Sequence, residues 1–150
     1  MQHPIAQEAI RSYTQVDVHS DAAYASSHRL IQMLLDNVLN KIAAAKGYML
    51  RGTVPDKCEN ISRAVAIVEG LRLCLDTQAG GDIARNLEDL YDYVERRLVQ
   101  ANMKNDPALL DEVASLLGEI KAGWTAIGDQ VANVHTMPAH SSPSDVPVVG

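Results

Sequence analysis

Residues 80–106 constrain the fold more than any other stretch, because they spell one helix complete with its start and its stop. Gly80-Gly81 ends the helical pattern before it, and Asp82 stands where a side-chain oxygen would cap the free amides of a first turn. Leu87, Leu90, Tyr91, Val94, Leu98 and Ala101 then recur at spacings of three and four. Asn105 tolerates the left-handed conformation of a helix end. Asp106-Pro107 restarts the chain at once, with Asp as N-cap and Pro at the first helical position. Tyr91 and Tyr93 are about 200° apart on this helix, so both cannot enter one core. One faces outward, and the helix needs company on more than one side.

Three further helical stripes flank this one, without an internal sequence repeat. Leu30, Ile31, Leu34, Leu35, Val38, Leu39, Ile42 and Met49 predict a first helix, capped at Ser26 or Ser27 and closed by Gly52 with Pro55 just beyond. A second helix, with Asp56 as its expected cap, carries Ile61, Ala64, Val65, Val68, Leu71 and Leu75 and runs to Gly80-Gly81. The fourth carries Leu109, Leu110, Val113, Leu116, Leu117, Ile120, Trp124 and Ile127 and stops at Gly128. Helices of about 20 to 25 residues, each about 30 to 37 Å long and joined by short connections, give an all-α, antiparallel, up-down-up-down four-helix bundle. Residues 1–25 are read as a short N-terminal helical arm with its connection, 26–131 as the bundle, and 132–150, with Pro138, Pro143 and Pro147, as a disordered tail.

With 150 residues there is room for one core, and with no Phe and a single Trp that core is aliphatic. A net charge of -6 without a basic patch argues against nucleic acid and anionic lipid. No stretch approaches the roughly 18 to 20 apolar residues that span a bilayer, and the N-terminus lacks a targeting pattern, so the chain is expected in the cytoplasm. Cys58 and Cys74, sixteen positions apart on one helix, would be separated by about 24 Å and cannot bridge each other. No Glu-x-x-His pair, phosphate loop, dinucleotide motif or nucleophile elbow occurs, so no catalytic residue, metal site or cofactor is expected. His28 and the carboxylates Glu88, Asp89, Asp92 and Glu95 read as surface polarity.

Helix 2 carries more apolar surface than one core row takes up. Leu73 is about 200° from both Leu71 and Leu75, and Ile67 and Cys74 widen the band, with only Arg63, Glu69 and Arg72 interrupting it. Two readings fit: a bundle that buries helix 2 nearly all round, or a binding groove on helices 2 and 3. The amphipathic arm, with Ile10, Tyr13 and Val16, could lie over such a groove while no partner is bound.

Over about residues 10–130 the sequence resembles the flagellin-specific export chaperones of the FliS family. The matching elements are Tyr13 and Val16; Ala25-Ser26, Leu30-Ile31, Met33-Leu34 and Asp36; Ala64, Ile67, Leu71 and Leu75-Asp76; Gly80 to Asn86; Leu90-Tyr91-Asp92-Tyr93; Arg96-Arg97-Leu98; Ala101 to Asp106; and Trp124. The chain departs from the family pattern at Asn37, at Ser27 and in its long tail. The resemblance implies a cytosolic chaperone that binds the disordered C-terminal segment of flagellin one-to-one, prevents premature polymerisation and supports delivery to the type III export apparatus. It implies apolar contacts from Ile67, Leu71, Leu73, Leu87, Leu90, Tyr91 and Tyr93, polar anchoring by Arg97 and Asn102, and a displaceable lid of Ile10, Tyr13 and Val16. The alternative reading is a structural or self-associating bundle; an enzyme fits least.

Overall fold

Four aliphatic stripes at helical spacing can all leave water only by facing one another, and the computed structural model, which describes residues 23–127, shows them doing so. The helices are α1 (Ala23–Arg51), α2 (Val54–Leu73), α3 (Gly81–Lys104) and α4 (Pro107–Ile127). Each packs on the next, and α4 returns onto α1. The start of α1 meets the end of α4 through His28 and Trp124, and the start of α2 meets the end of α3 through Lys57 and Asn102. The arrangement is therefore the expected antiparallel up-down-up-down bundle, with no strand among the described residues.

Helix boundaries depart from the sequence reading at four places. The first helix already includes Ala23, so Ser26 and Ser27 are interior residues and not caps. The alanines of this stretch are strong helix formers, and an interior Ser lowers helix propensity only slightly. Thr53, not Asp56, precedes α2, and its side chain makes no capping bond; Asp56 lies in the first turn, where a carboxylate complements the helix dipole. This helix ends at Leu73, well before Gly80: the Cys74 amide is shared between the carbonyls of Gly70 and Leu71 at 3.1 and 3.2 Å, and the Leu75 amide tightens onto the Arg72 carbonyl at 3.1 Å. The Asp76 carboxylate then accepts from the amides of Gln78 and Ala79 at 3.1 and 2.9 Å, forming a side-chain-stabilised turn that the helical period did not reveal. Asp82 does not cap α3: it lies inside the first turn and pairs with Arg85, while Gly81 takes φ +58°, which glycine adopts without strain.

The other end of α3 is as the sequence predicts. Asn105 is left-handed, at φ 53° and ψ 48°, and the Asp106 carboxylate caps α4 by accepting from the Ala108 amide at 2.9 Å. Lys57 is buried against this corner, and its ammonium donates to the Asn102 carbonyl at 3.2 Å and to Asn105 Oδ1 at 3.1 Å. A cation at the C-terminus of α3 satisfies a free carbonyl and complements the dipole. The arm, Gly128 and the tail lie outside the described residues.

The core is aliphatic except for Tyr91 and Trp124, and Tyr91 is its largest fully buried side chain. Trp124 stacks on His28 with centroids 4.6 Å apart, and its indole N–H donates to the His28 carbonyl at 2.9 Å. His28, expected as surface polarity, is thus a half-buried packing partner that ties α1 to α4. Leu98 is fully buried, so Leu98→Ala is expected to lower the unfolding free energy by about 2 to 5 kcal/mol in urea titrations. Asp111→Ala removes an exposed ion pair with Lys46 and should change it by less than about 1 kcal/mol.

Candidate functional site

The surface in question is built by α2 and α3. From Ala66 to Leu71 every residue of α2 is buried, a run that turns through about 500° and leaves that part of the helix no solvated face. Ile67 and Leu71 belong to the core, as does Tyr91 of α3. Leu73, by contrast, is 44% exposed at the end of α2. Leu87 and Leu90 are half-buried, and Leu87 packs against the core. The residues expected as one apolar surface therefore form two layers, with Ile67, Leu71 and Tyr91 inside and Leu73, Leu87, Leu90 and Tyr93 nearer water. Ile10, Tyr13 and Val16 lie outside the described residues.

The outward tyrosine is Tyr93, placed on the flank of α3 that meets α4. Its hydroxyl donates to Glu112 Oε2 at 2.5 Å. Arg97 donates through Nε to the other oxygen of Glu112 at 2.9 Å and through Nη1 to Gln100 at 2.8 Å. The guanidiniums of Arg97 and Arg96 lie 5.5 and 5.9 Å from the Tyr93 ring centroid, within cation–π range. The bonds from Tyr93 and Arg97 hold the Glu112 carboxyl below the usual carboxylate range, and the same hydrogen bond to Glu112 raises the Tyr93 phenol. This is an amphipathic patch with hydrogen-bonded donors and one carboxylate.

Asn102 lies on the opposite flank, facing α2, where its side-chain oxygen accepts from Cys58 Sγ at 3.4 Å. Arg97 and Asn102, named together from the sequence, thus belong to different seams. Five residues of helix turn them about 140° apart, a separation that the spacing alone could have revealed. What the sequence reading missed is the α2–α3 seam itself. Glu69 is buried and Glu95 half-buried there around Arg72, whereas Glu95 had been read as part of a solvated face. Its position one residue after Val94 and three before Leu98 puts it at the edge of the buried stripe.

No group of His, Cys, Asp and Glu among the described residues could hold a metal ion. No helix among them is long and apolar enough to cross a membrane. The model of the family "Flagellar protein FliS" matches residues 9–131. The chain is 45% identical over 122 residues to the flagellar secretion chaperone FliSB of Pseudomonas aeruginosa, covering 81% of this chain and 97% of that protein. It is 41% identical over 124 residues to the flagellar secretion chaperone FliS of Salmonella typhimurium, covering 82% and 92% respectively. The Vibrio cholerae flagellar secretion chaperone FliS is 38% identical over 126 residues, with 84% and 93% covered.

The two thiols give a check on how α2 is seated. Neither forms a disulfide; Cys58 is half-buried and Cys74 is buried, its thiol pushed up to about 12 by loss of solvent. At pH 8 a disulfide reagent should modify Cys58 in the folded protein and leave Cys74 unreacted until urea is added. Equal rates at both would mean that the end of α2 is not packed as described.

Proposed function

We infer the function from a plain premise: this chain belongs to the FliS family, to which the flagellar secretion chaperones it matches give their name. The reading is that it binds the disordered C-terminal segment of flagellin, one-to-one, in the cytoplasm. By occupying that segment it keeps flagellin from polymerising early, and it hands the complex to the flagellar type III export apparatus. The observation that carries this is the family match across residues 9–131, which spans the whole bundle and not one motif of it.

Physical chemistry supports the pairing. An amphipathic segment that folds on binding buries on the order of 1,000 to 3,000 Å² and gives back roughly 2 to 5 kcal/mol in ordering, so the complex is firm and still reversible. Leu73 and the half-buried Leu87, Leu90 and Tyr93 offer the first apolar contacts. Ile67, Leu71 and Tyr91 lie beneath and come into reach as Ile10, Tyr13 and Val16 are displaced as a lid. Arg97 and Asn102 anchor the segment's polar backbone on their separate flanks.

Self-association would draw on the same exposed groups, together with Val99 and Met103 of α3. Sedimentation separates the two: a one-to-one complex with flagellin is expected, and an oligomer unchanged by saturating flagellin would exclude it. Leu73→Asp and Tyr93→Asp, both at the surface and checked by circular dichroism, should each weaken binding of a flagellin C-terminal peptide at least about tenfold, or 1.4 kcal/mol. Unchanged affinity in both variants would remove this surface as the binding site.

A further inference from the structure

We propose that Glu69, Arg72 and Glu95 form a proton-linked latch between α2 and α3, closed while the two carboxyls share one proton and loosened when both are ionised. The inference stands apart from the flagellin reading, since it concerns the stability of the bundle itself.

The geometry is that of two acids competing for one base. The side chains of Glu69 and Glu95 are only 7% and 17% exposed, and that of Arg72 is 32% exposed. Arg72 Nη2 donates to Glu69 Oε1 at 2.7 Å. Its Nε lies 3.7 Å from Glu95 Oε2, beyond hydrogen-bond reach, and both of those buried atoms are without a hydrogen-bond partner. A guanidinium fork that could clasp a second carboxylate has stopped short of doing so. Two poorly solvated carboxyls therefore face one guanidinium that bonds only the first of them, and any direct bond between the two carboxyls requires a proton on one.

The charges around the seam favour that proton. From α2 come one cation, Arg72, and one acid, Glu69; from α3 comes Asp92, whose carboxylate accepts from Arg96 at 3.1 Å. The Glu112 carboxylate of α4 is engaged by Tyr93 and Arg97 on the other flank of α3. With one shared proton the three groups Glu69, Arg72 and Glu95 are neutral; without it they carry a net negative charge in a mostly buried seam beside Asp92. Burial first, then the hydrogen bond and charge of Glu69, push the Glu95 carboxyl up to about 8, with Arg72 opposing. The proton belongs to the pair as a unit.

The sign follows. An unfolded chain releases this proton near 4.5, the ordinary value for Glu, whereas the folded chain retains it. The stabilisation is complete below that pH and is lost as pH rises toward about 8. Within the window each further pH unit lowers the folded-to-unfolded ratio up to about tenfold.

The test uses the full chain. Urea unfolding of the wild type and of Glu95→Gln, the neutral isostere, is followed from pH 5.5 to 8.5, and the Glu95 side-chain carbon of the wild type is titrated by NMR. The wild-type folding constant relative to Glu95→Gln is expected to fall at least about tenfold across that range, with the Glu95 midpoint above pH 6. A ratio that stays flat, or a carboxyl midpoint between pH 4 and 5, overturns the latch. Should Glu95→Gln fail to fold, Glu69→Gln takes its place, and the NMR midpoint decides without either variant.

Discussion

The burial of α2 is the constraint on which much of the structure depends. Over Ala66 to Leu71 the helix has no side turned to water, although α1 and α3 are its main neighbours among the described helices. A helix sunk this far must be apolar all round or must satisfy its polar groups internally. Here it does both. Ala66, Ile67, Val68, Gly70 and Leu71 supply the apolar part, and Glu69 is answered by Arg72 one turn along. That buried carboxylate in turn brings the guanidinium toward α3 and draws Glu95 out of solvent.

Around this seam the bundle is held by a few polar stitches laid over a continuous aliphatic core. Lys57 joins the start of α2 to the end of α3, His28 and Trp124 join α1 to α4, and Tyr93 with Arg97 joins α3 to Glu112 of α4. Each stitch lies between antiparallel neighbours. Apolar burial supplies the bulk of the stabilisation without direction, and the stitches choose which rotation of each helix is kept. Helix 3 carries stitches on both flanks, so a partner that engages its surface touches two seams of different chemistry. One is a half-buried aromatic–arginine patch; the other is an acid–base cluster centred on the buried Glu69.

Much of this was legible in the sequence. The left-handed stop at Asn105, the Asp106 cap with Pro107 behind it, and the outward turn of one of Tyr91 and Tyr93 all follow from local rules and are all observed. The sequence reading was weaker where a residue's role depended on a distant neighbour. His28 looked like surface polarity because Trp124, its stacking partner, is 96 positions away. Asp82 looked like a cap because Gly80-Gly81 was taken as the stop of α2, whereas the Asp76 turn had already ended it. The site was legible as a set of residues and not as an arrangement, since Ile67, Leu71 and Tyr91 turned inward while Leu73 stayed out.

By itself the sequence determined the four described helices, their order, their antiparallel course and the family to which they belong. Those properties are written in periodicity, in turn residues and in motifs a few positions long, all of which act locally. Which flank of each helix meets which neighbour was decided only by the tertiary structure. Rotating α3 by a fraction of a turn keeps its amphipathic pattern yet exchanges Glu95 for a solvated partner or Tyr93 for a buried one. That rotation is set by the packing of all four helices together, through contacts between residues far apart in the chain, and no local pattern encodes it.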